Sequence, residues 1–210
     1  MPLTDLTGFA AFIEGYPDFT FQGGNIITKE EFINILFKLK NPIAEERPAA
    51  APDSQSFNDV AFGRWSYDAI EWAVEAGILE VGASGSFNPK SELTRAEMAV
   101  MLARAEGWTD VSDNIFSDID GHPAHNDILK AVAAGVFIGY TDGTFRPDNT
   151  ATRYELVTAL VRYLLGGEPS DNMWTNINVK LTDTPRTHWA YKYLAMATAG
   201  FERERVTTQS

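Results

Sequence analysis

Apolar residues recur with the period of an amphipathic helix at three places along this chain. After Thr94 they fall at Met98, Met101, Leu102 and Ala105, the i, i+3, i+4, i+7 stripe. Phe32, Ile35, Leu36 and Leu39 repeat the stripe after Thr28, and Leu156, Ala159, Leu160 and Tyr163 repeat it after Thr152. Each threonine stands where a helix cap belongs and has a glutamate three residues on: Glu31, Glu97 and Glu155. Three helices opening on capping boxes are therefore predicted.

A second pattern occupies residues 57–78, 116–136 and 181–201, where "FNDVAFGRWSYDAIEWAVEAGI", "FSDIDGHPAHNDILKAVAAGV" and "LTDTPRTHWAYKYLAMATAGF" align with short gaps. Each predicts a shorter helix. In the first, Ser66 is the expected cap, Trp65 and Ile70 have the spacing of a hydrophobic staple, and Ala73 and Val74 continue the buried face. Gly77, Gly135 and Gly200 supply left-handed stops. The turn "SGSFNP" that follows carries one aromatic anchor, Phe87, matched by Phe21 and Phe145.

The two patterns alternate as halves of a repeat whose threonines lie 66 and 58 residues apart. Residues 14–40 form a second half, 57–108 and 116–165 are full repeats, and 181–201 is a first half. The preferred arrangement puts 181–201 beside 14–40, completing the first repeat and closing a pseudo-threefold ring. In the alternative, "LTDLTGFAAFI" (3–13) is a shortened first half of its own. Either way the expected fold is all-α: six helices in helix-loop-helix repeats around a shared core, with short extended loop segments, one module across 1–210. Residues 41–56 and 166–180 read as linkers or ordered loops, and the closing "ERERVTTQS" as a frayed tail.

Composition narrows the partners. The 210 residues are 44% hydrophobic and 12% aromatic, enough for a folded core. No cysteine is present, so disulfides, thiolate metal sites and cysteine nucleophiles are excluded. The formal charge of −12 gives a field that repels nucleic acid and anionic lipid, so neither nucleic-acid binding nor membrane insertion is expected. No apolar run approaches a membrane span, and the start lacks the basic and apolar regions of a signal peptide. Either the chain is not exported or its numbering begins after a leader.

Against this acidic background one feature is out of place. Arg95, Arg153 and Lys29 each follow a capping threonine, in a first helical turn whose dipole disfavours cations. Two readings stand level. The arginines make structural salt bridges to an aspartate such as Asp59 or Asp118, or they join exposed helical N–H groups in an anion site. Other chemistry is thin. His122 and His125, with Asp118, Asp120 and Asp127 nearby, match no metal-ligand spacing, and Arg146 stands where a calcium loop needs an acid. No metal, cofactor or catalytic pair is expected.

The ordered combination of aromatic-x-Asp, a Trp-Ala-Tyr-like helix start, a glycine stop, Gly-Tyr-x-Asp-Gly-x-Phe and Thr-Arg-x-Glu resembles the S-layer homology (SLH) repeat over most of residues 14–201. The resemblance implies a three-unit helical module of pseudo-threefold shape. It further implies noncovalent anchoring of a secreted protein to secondary cell-wall polysaccharide at the bacterial surface, without catalysis. The implied ligand is an acidic glycan whose pyruvate ketal carboxylate meets the motif arginine in grooves between units.

Carried onto this sequence, Thr94, Arg95 and Glu97 match the motif in full, and Thr152, Arg153 and Glu155 match with Tyr154 in place of the small residue, where it could crowd or stack on a sugar. In the N-terminal copy Lys29 replaces arginine and Glu30 replaces alanine, a point charge beside an extra anion. Trp65 and Trp189 match the family tryptophan, as buried staples or as floors for a pyranose ring; the staple is preferred because large aromatics more often serve the core. The middle copy has Pro123 near that place. Asp59, Asp118 and Asp183 match the family aspartate, with turn formation or capping as the first expectation and bonding to ligand hydroxyls as the second. A rival reading keeps the scaffold for contacts with other copies of itself or with surface-layer proteins, in a lattice, appendage or phage particle.

Overall fold

The computed structural model describes residues 8–9, 11–199 and 201–202. Among them are six α-helices: α1 (Lys29–Lys40), α2 (Tyr67–Glu75), α3 (Arg95–Glu106), α4 (His125–Ala133), α5 (Arg153–Leu165) and α6 (Tyr191–Ala199). Among the described residues, extended structure is confined to a two-residue antiparallel pair, β1 (Gly8–Phe9) with β2 (Phe201–Glu202), and two isolated bridges. The all-α expectation holds. Gly200 and the segment "ERERVTTQS", apart from Glu202, lie outside the described residues.

The three capping boxes form as read. The Thr28, Thr94 and Thr152 hydroxyls accept from the amides of Glu31, Glu97 and Glu155, whose carboxylates accept in return from the threonine amides at 2.8, 2.9 and 3.0 Å. Two of the orphan donors at each helix start are satisfied this way. Gly107 and Gly166 close α3 and α5 at φ 63° and 72°, the left-handed conformation that carries no penalty for glycine.

The chain clusters into two compact units. One comprises residues 26–151 and holds α1 to α4, with α1 packed on α2 and α3 on α4. Its core includes Phe32, Leu36, Ile70, Met98, Leu102 and Ile128, all fully buried. The predicted stripe is wider than read: Ile33 and Phe37 are buried beside Phe32 and Leu36, whereas Ile35 is half-buried. The 41–56 segment is ordered against α2, where Glu71 accepts from the Ser56 amide and hydroxyl and Tyr67 donates to the Ala51 carbonyl.

The other unit comprises 1–25 and 152–210 and packs α5 on α6. Glu168 ties the two helices, accepting from Arg162 on α5 and from Lys192 and Tyr193 on α6. Burial pushes this carboxyl up, but the donors from Tyr193 and Lys192 and the charge of Arg162 outweigh it and hold the pKa at about 2. The 11–25 loop lies along the same unit, with the Phe12 amide on the Ala197 carbonyl and the Thr182 amide on the Phe19 carbonyl.

Two sequence expectations for the shorter helices are corrected. Ser66 makes no capping bond; its hydroxyl donates instead to Glu30 at 2.7 Å. Trp65 and Trp189 are not staples: they stand 58% and 57% exposed. The aromatic anchors Phe21, Phe87 and Phe145 are buried as expected.

Candidate functional site

Each loop before a capping threonine is built the same way. The Asp59 carboxylate accepts from the amides of Phe87 and Asn88 at 2.9 and 2.8 Å, Asp118 from those of Phe145 and Arg146 at 2.8 and 2.7 Å, and Asp183 from those of Phe21 and Gln22 at 2.8 and 2.7 Å. The second residue of each pair, Asn88, Arg146 or Gln22, has φ between 53° and 58°, a left-handed conformation unfavourable for a side-chain-bearing residue. Two charge-assisted bonds from one carboxylate hold that turn. Burial raises the pKa values of Asp59 and Asp183, yet the same amides outweigh it and leave both below the ordinary value. The first expectation for the aspartates, turn formation, is what they do here.

The motif cations are placed in two different ways. Arg95 is buried, its guanidinium over the rings of Tyr140, Phe145 and Phe137 at 4.7, 4.8 and 5.6 Å, and its Nε donates to the Phe145 carbonyl. Arg153 is partly exposed, lies over Phe21 and Tyr16, and donates to the carbonyls of Phe21 and Glu14. Lys29, a point charge in place of a planar fork, pairs with Glu97 at 2.6 Å.

The anion-site account of these cations does not survive unchanged. The carboxylates of Asp59 and Asp118 accept from loop amides. The helix-start N–H groups are not exposed: the Arg95 and Ala96 amides donate to the carbonyls of Asn149 and Pro147, those of Arg153 and Tyr154 to Asn25 and Gly23, and those of Lys29 and Glu30 to Ser91 and Pro89. A guanidinium stacked on aromatic rings gains cation–π attraction and covers apolar surface with its stem, which offsets the unfavourable helix dipole.

Beside each motif the residue after the cation faces residues just ahead of a short helix, and the three copies differ. At α1, Glu30 is 4% exposed and is held bidentately by Arg64 at 2.8 and 2.7 Å and by Ser66. At α5, the Tyr154 ring lies 4.5 Å from His188 and 5.9 Å from Trp189, and its hydroxyl bonds Thr184 at 2.8 Å. At α3 the residue is Ala96, facing His122, Pro123 and Ala124 across a cavity of about 470 Å³. Its lining combines apolar side chains, from Ile78, Ala96, Val100, Met101 and Pro123, with the polar side chains of Thr94, Glu97, Arg104, His122 and Asp148. Arg104 is 31% exposed and pairs with Glu80 at 3.3 Å; Glu80 is itself 77% exposed, so this pair is screened and weak. A largely apolar lining with a few polar groups, at this volume, is the form of a small-ligand site.

The family model for the S-layer homology domain matches residues 10–33, 56–99 and 115–157, slightly more than half of the chain. The chain belongs to the S-layer homology domain family. It is 34% identical over 193 residues to a cellulosome-anchoring protein of Acetivibrio thermocellus, covering 89% of this chain and 41% of that protein. It is 30% identical to cell surface glycoprotein 1 of the same organism over 86% of this chain and 8% of that protein. An amylopullulanase of Thermoanaerobacterium thermosulfurigenes is 32% identical over 77% of this chain, again 8% of the larger protein. The chain thus spans about two fifths of the first of these relatives and under a tenth of the others.

Of the SLH motif residues, the structure brings Thr94 and Glu97 to the open cavity, keeps Arg95 beneath the neighbouring loop, and leaves Trp65 and Trp189 at the surface of their own units. Thr152 and Glu155 form the cap of α5. Arg104 and Ala96 were not singled out from sequence, and His122 was weighed there only as a metal ligand. The available signal was the residue after the cation, which reads Glu30, Ala96 and Tyr154 across three otherwise matching motifs.

Proposed function

We propose that this chain is a noncatalytic module that binds bacterial secondary cell-wall polysaccharide, a pyruvylated acidic glycan, and so anchors a protein at the cell surface without covalent attachment. The observation that carries the reading is the open cavity along α3 in a member of the SLH family. A sugar ring would lie on Ala96, Val100, Met101 and Pro123, with its hydroxyls reaching Thr94, Glu97 and Asp148. Its carboxylate would be met by Arg104, which its exposed partner Glu80 holds only weakly. Arg95 acts from below, fixing the loop that bears Asp148, while Arg153 is the motif cation that keeps an exposed edge.

Two of the relatives agree with this reading in kind, being named for anchoring and for the cell surface, and the amylopullulanase shares only a small fraction of its length with this chain. The Asp183 contacts with Phe21 and Gln22, which repeat those of Asp59 and Asp118, support residues 181–201 as the segment that completes the first repeat.

Titration calorimetry with wall polymer carrying or stripped of its pyruvate ketals tests the proposal. Loss of one charge-assisted contact is expected to weaken binding by about ten- to a hundredfold, equivalent to about 1.5–3 kcal/mol. Equal affinity for both polymers would reject carboxylate recognition.

A further inference from the structure

The three motif copies share their caps, their aspartate-held loops and their buried aromatic anchors, yet the space beside them is filled differently. We infer that the residue directly after the motif cation sets how many grooves of this chain admit a sugar, and that Tyr154 is a built-in plug occupying one of them. The inference rests on the reading of the chain as a glycan-binding module and deepens it, from which ligand is bound to where and how many times.

The plug is fitted on both sides. Tyr154 packs its ring against His188 and Trp189, the positions that His122 and Pro123 hold around the open cavity, and its hydroxyl is taken by the buried Thr184. The ring thus fills the space beside α5 with aromatic contacts of its own. Behind the ring the loop departs from its counterparts. Where the other two loops have Pro89 and Pro147, this one has Gly23, and a Cβ there would stand 2.1 Å from the Tyr154 ring. The ring therefore occupies volume that a proline at position 23 would need. A bulky residue at 154 and a side-chain-free residue at 23 are two halves of one adaptation, which a tyrosine merely tolerated at a surface would not require.

Glu30 closes the α1 copy by other means. Its carboxylate reaches across to Arg64 and Ser66 and cross-links the two walls that Ala96 leaves apart at α3. The α3 groove, with Ala96, is then the one that receives ligand.

The test counts sites. The full chain is titrated calorimetrically with the methyl glycoside of a hexopyranose bearing a pyruvate ketal, a ligand too small to bridge grooves. Wild type is expected to take one equivalent, Tyr154→Ala two, Tyr154→Phe one, and Ala96→Tyr none, with circular dichroism melts showing that each variant folds. Two or more equivalents on wild type would overturn the inference, as would one equivalent on a folded Tyr154→Ala or undiminished binding to Ala96→Tyr. Should Tyr154→Ala fail to fold, Ala96→Tyr decides alone. Binding that ignores all the substitutions sinks the plug and leaves the glycan reading standing; no binding by wild type sinks both.

Discussion

The Asp183 carboxylate holds the backbone N–H of Phe21 at 2.8 Å across 162 residues of chain, in the same geometry that Asp59 and Asp118 use across 28 and 27. A bond that is local in sequence for two copies is long-range for the third. Closing so long a loop costs entropy that grows only slowly with its length. The same carboxylate can therefore serve all three, provided the surrounding apolar contacts form first.

Replacing Asp183 with alanine should lower stability by about 0.5–2 kcal/mol, the range for losing a side-chain oxygen that satisfies orphan backbone amides. The pH dependence has a definite sign. The folded-state pKa of Asp183 lies below the ordinary aspartate value, so its contribution is complete above that ordinary value and is lost as pH falls through the lowered one. Denaturant melts of wild type and variant should thus differ at pH 7 and converge in strong acid. A difference unchanged between pH 7 and pH 2 would show that the carboxylate charge is irrelevant.

Gly23→Ala should destabilise by about 1–3 kcal/mol, because its Cβ overlaps the Tyr154 ring and a packed neighbour must move. In a Tyr154→Ala background the same substitution should cost far less, since the overlapping ring is gone. A double-mutant cycle on urea melts gives the coupling directly. Additive effects would mean that position 23 is glycine for some reason other than the ring.

What the sequence disclosed and what it withheld divide along chain distance. The capping boxes of Thr28, Thr94 and Thr152 were legible because donor and acceptor lie three residues apart on one helix. The aspartates were legible as turn formers, but their acceptor role toward left-handed residues about 28 positions on, or 161 back, needs the fold. Glu30 read as a disturbance beside Lys29, whereas its partner is Arg64, 34 residues later. Trp65 was misread because staple spacing was satisfied while the ring had a solvent-facing alternative that spacing cannot exclude. The open groove needed a comparison that composition and periodicity do not make, between equivalent positions of imperfect repeats.

Arg64→Ala should cost about 1.5–3 kcal/mol, since it strands the buried Glu30 carboxylate with Ser66 as its remaining donor of the three that now hold it. Glu30→Ala with Arg64→Ala should recover part of that loss, because an apolar replacement leaves no buried charge uncompensated. Melts of the two single variants and the double variant supply the comparison. A double variant less stable than Arg64→Ala would place the stabilisation in Glu30 packing and not in the ion pair.

Arg95→Lys imitates in the second motif what the first already contains. The guanidinium lies over three rings and its Nε reaches the Phe145 carbonyl, so a lysine there loses the planar fork and most of the stacking while keeping the charge that the helix dipole disfavours. Stability should fall by about 1–3 kcal/mol, from one charge-assisted bond and a desolvated cation–π contact. Lys29→Arg should change it by less than about 0.5 kcal/mol, because Lys29 is placed at the rim against Glu97 and not over rings. If Arg95 acts through the fold, Arg95→Lys measured well below its melting temperature should still bind the glycan within a few-fold of wild type, whereas Arg104→Ala should lose about tenfold or more. The reverse ranking, a stable Arg95→Lys that has lost its ligand, would return Arg95 to the carboxylate-reading role and remove Arg104 from it.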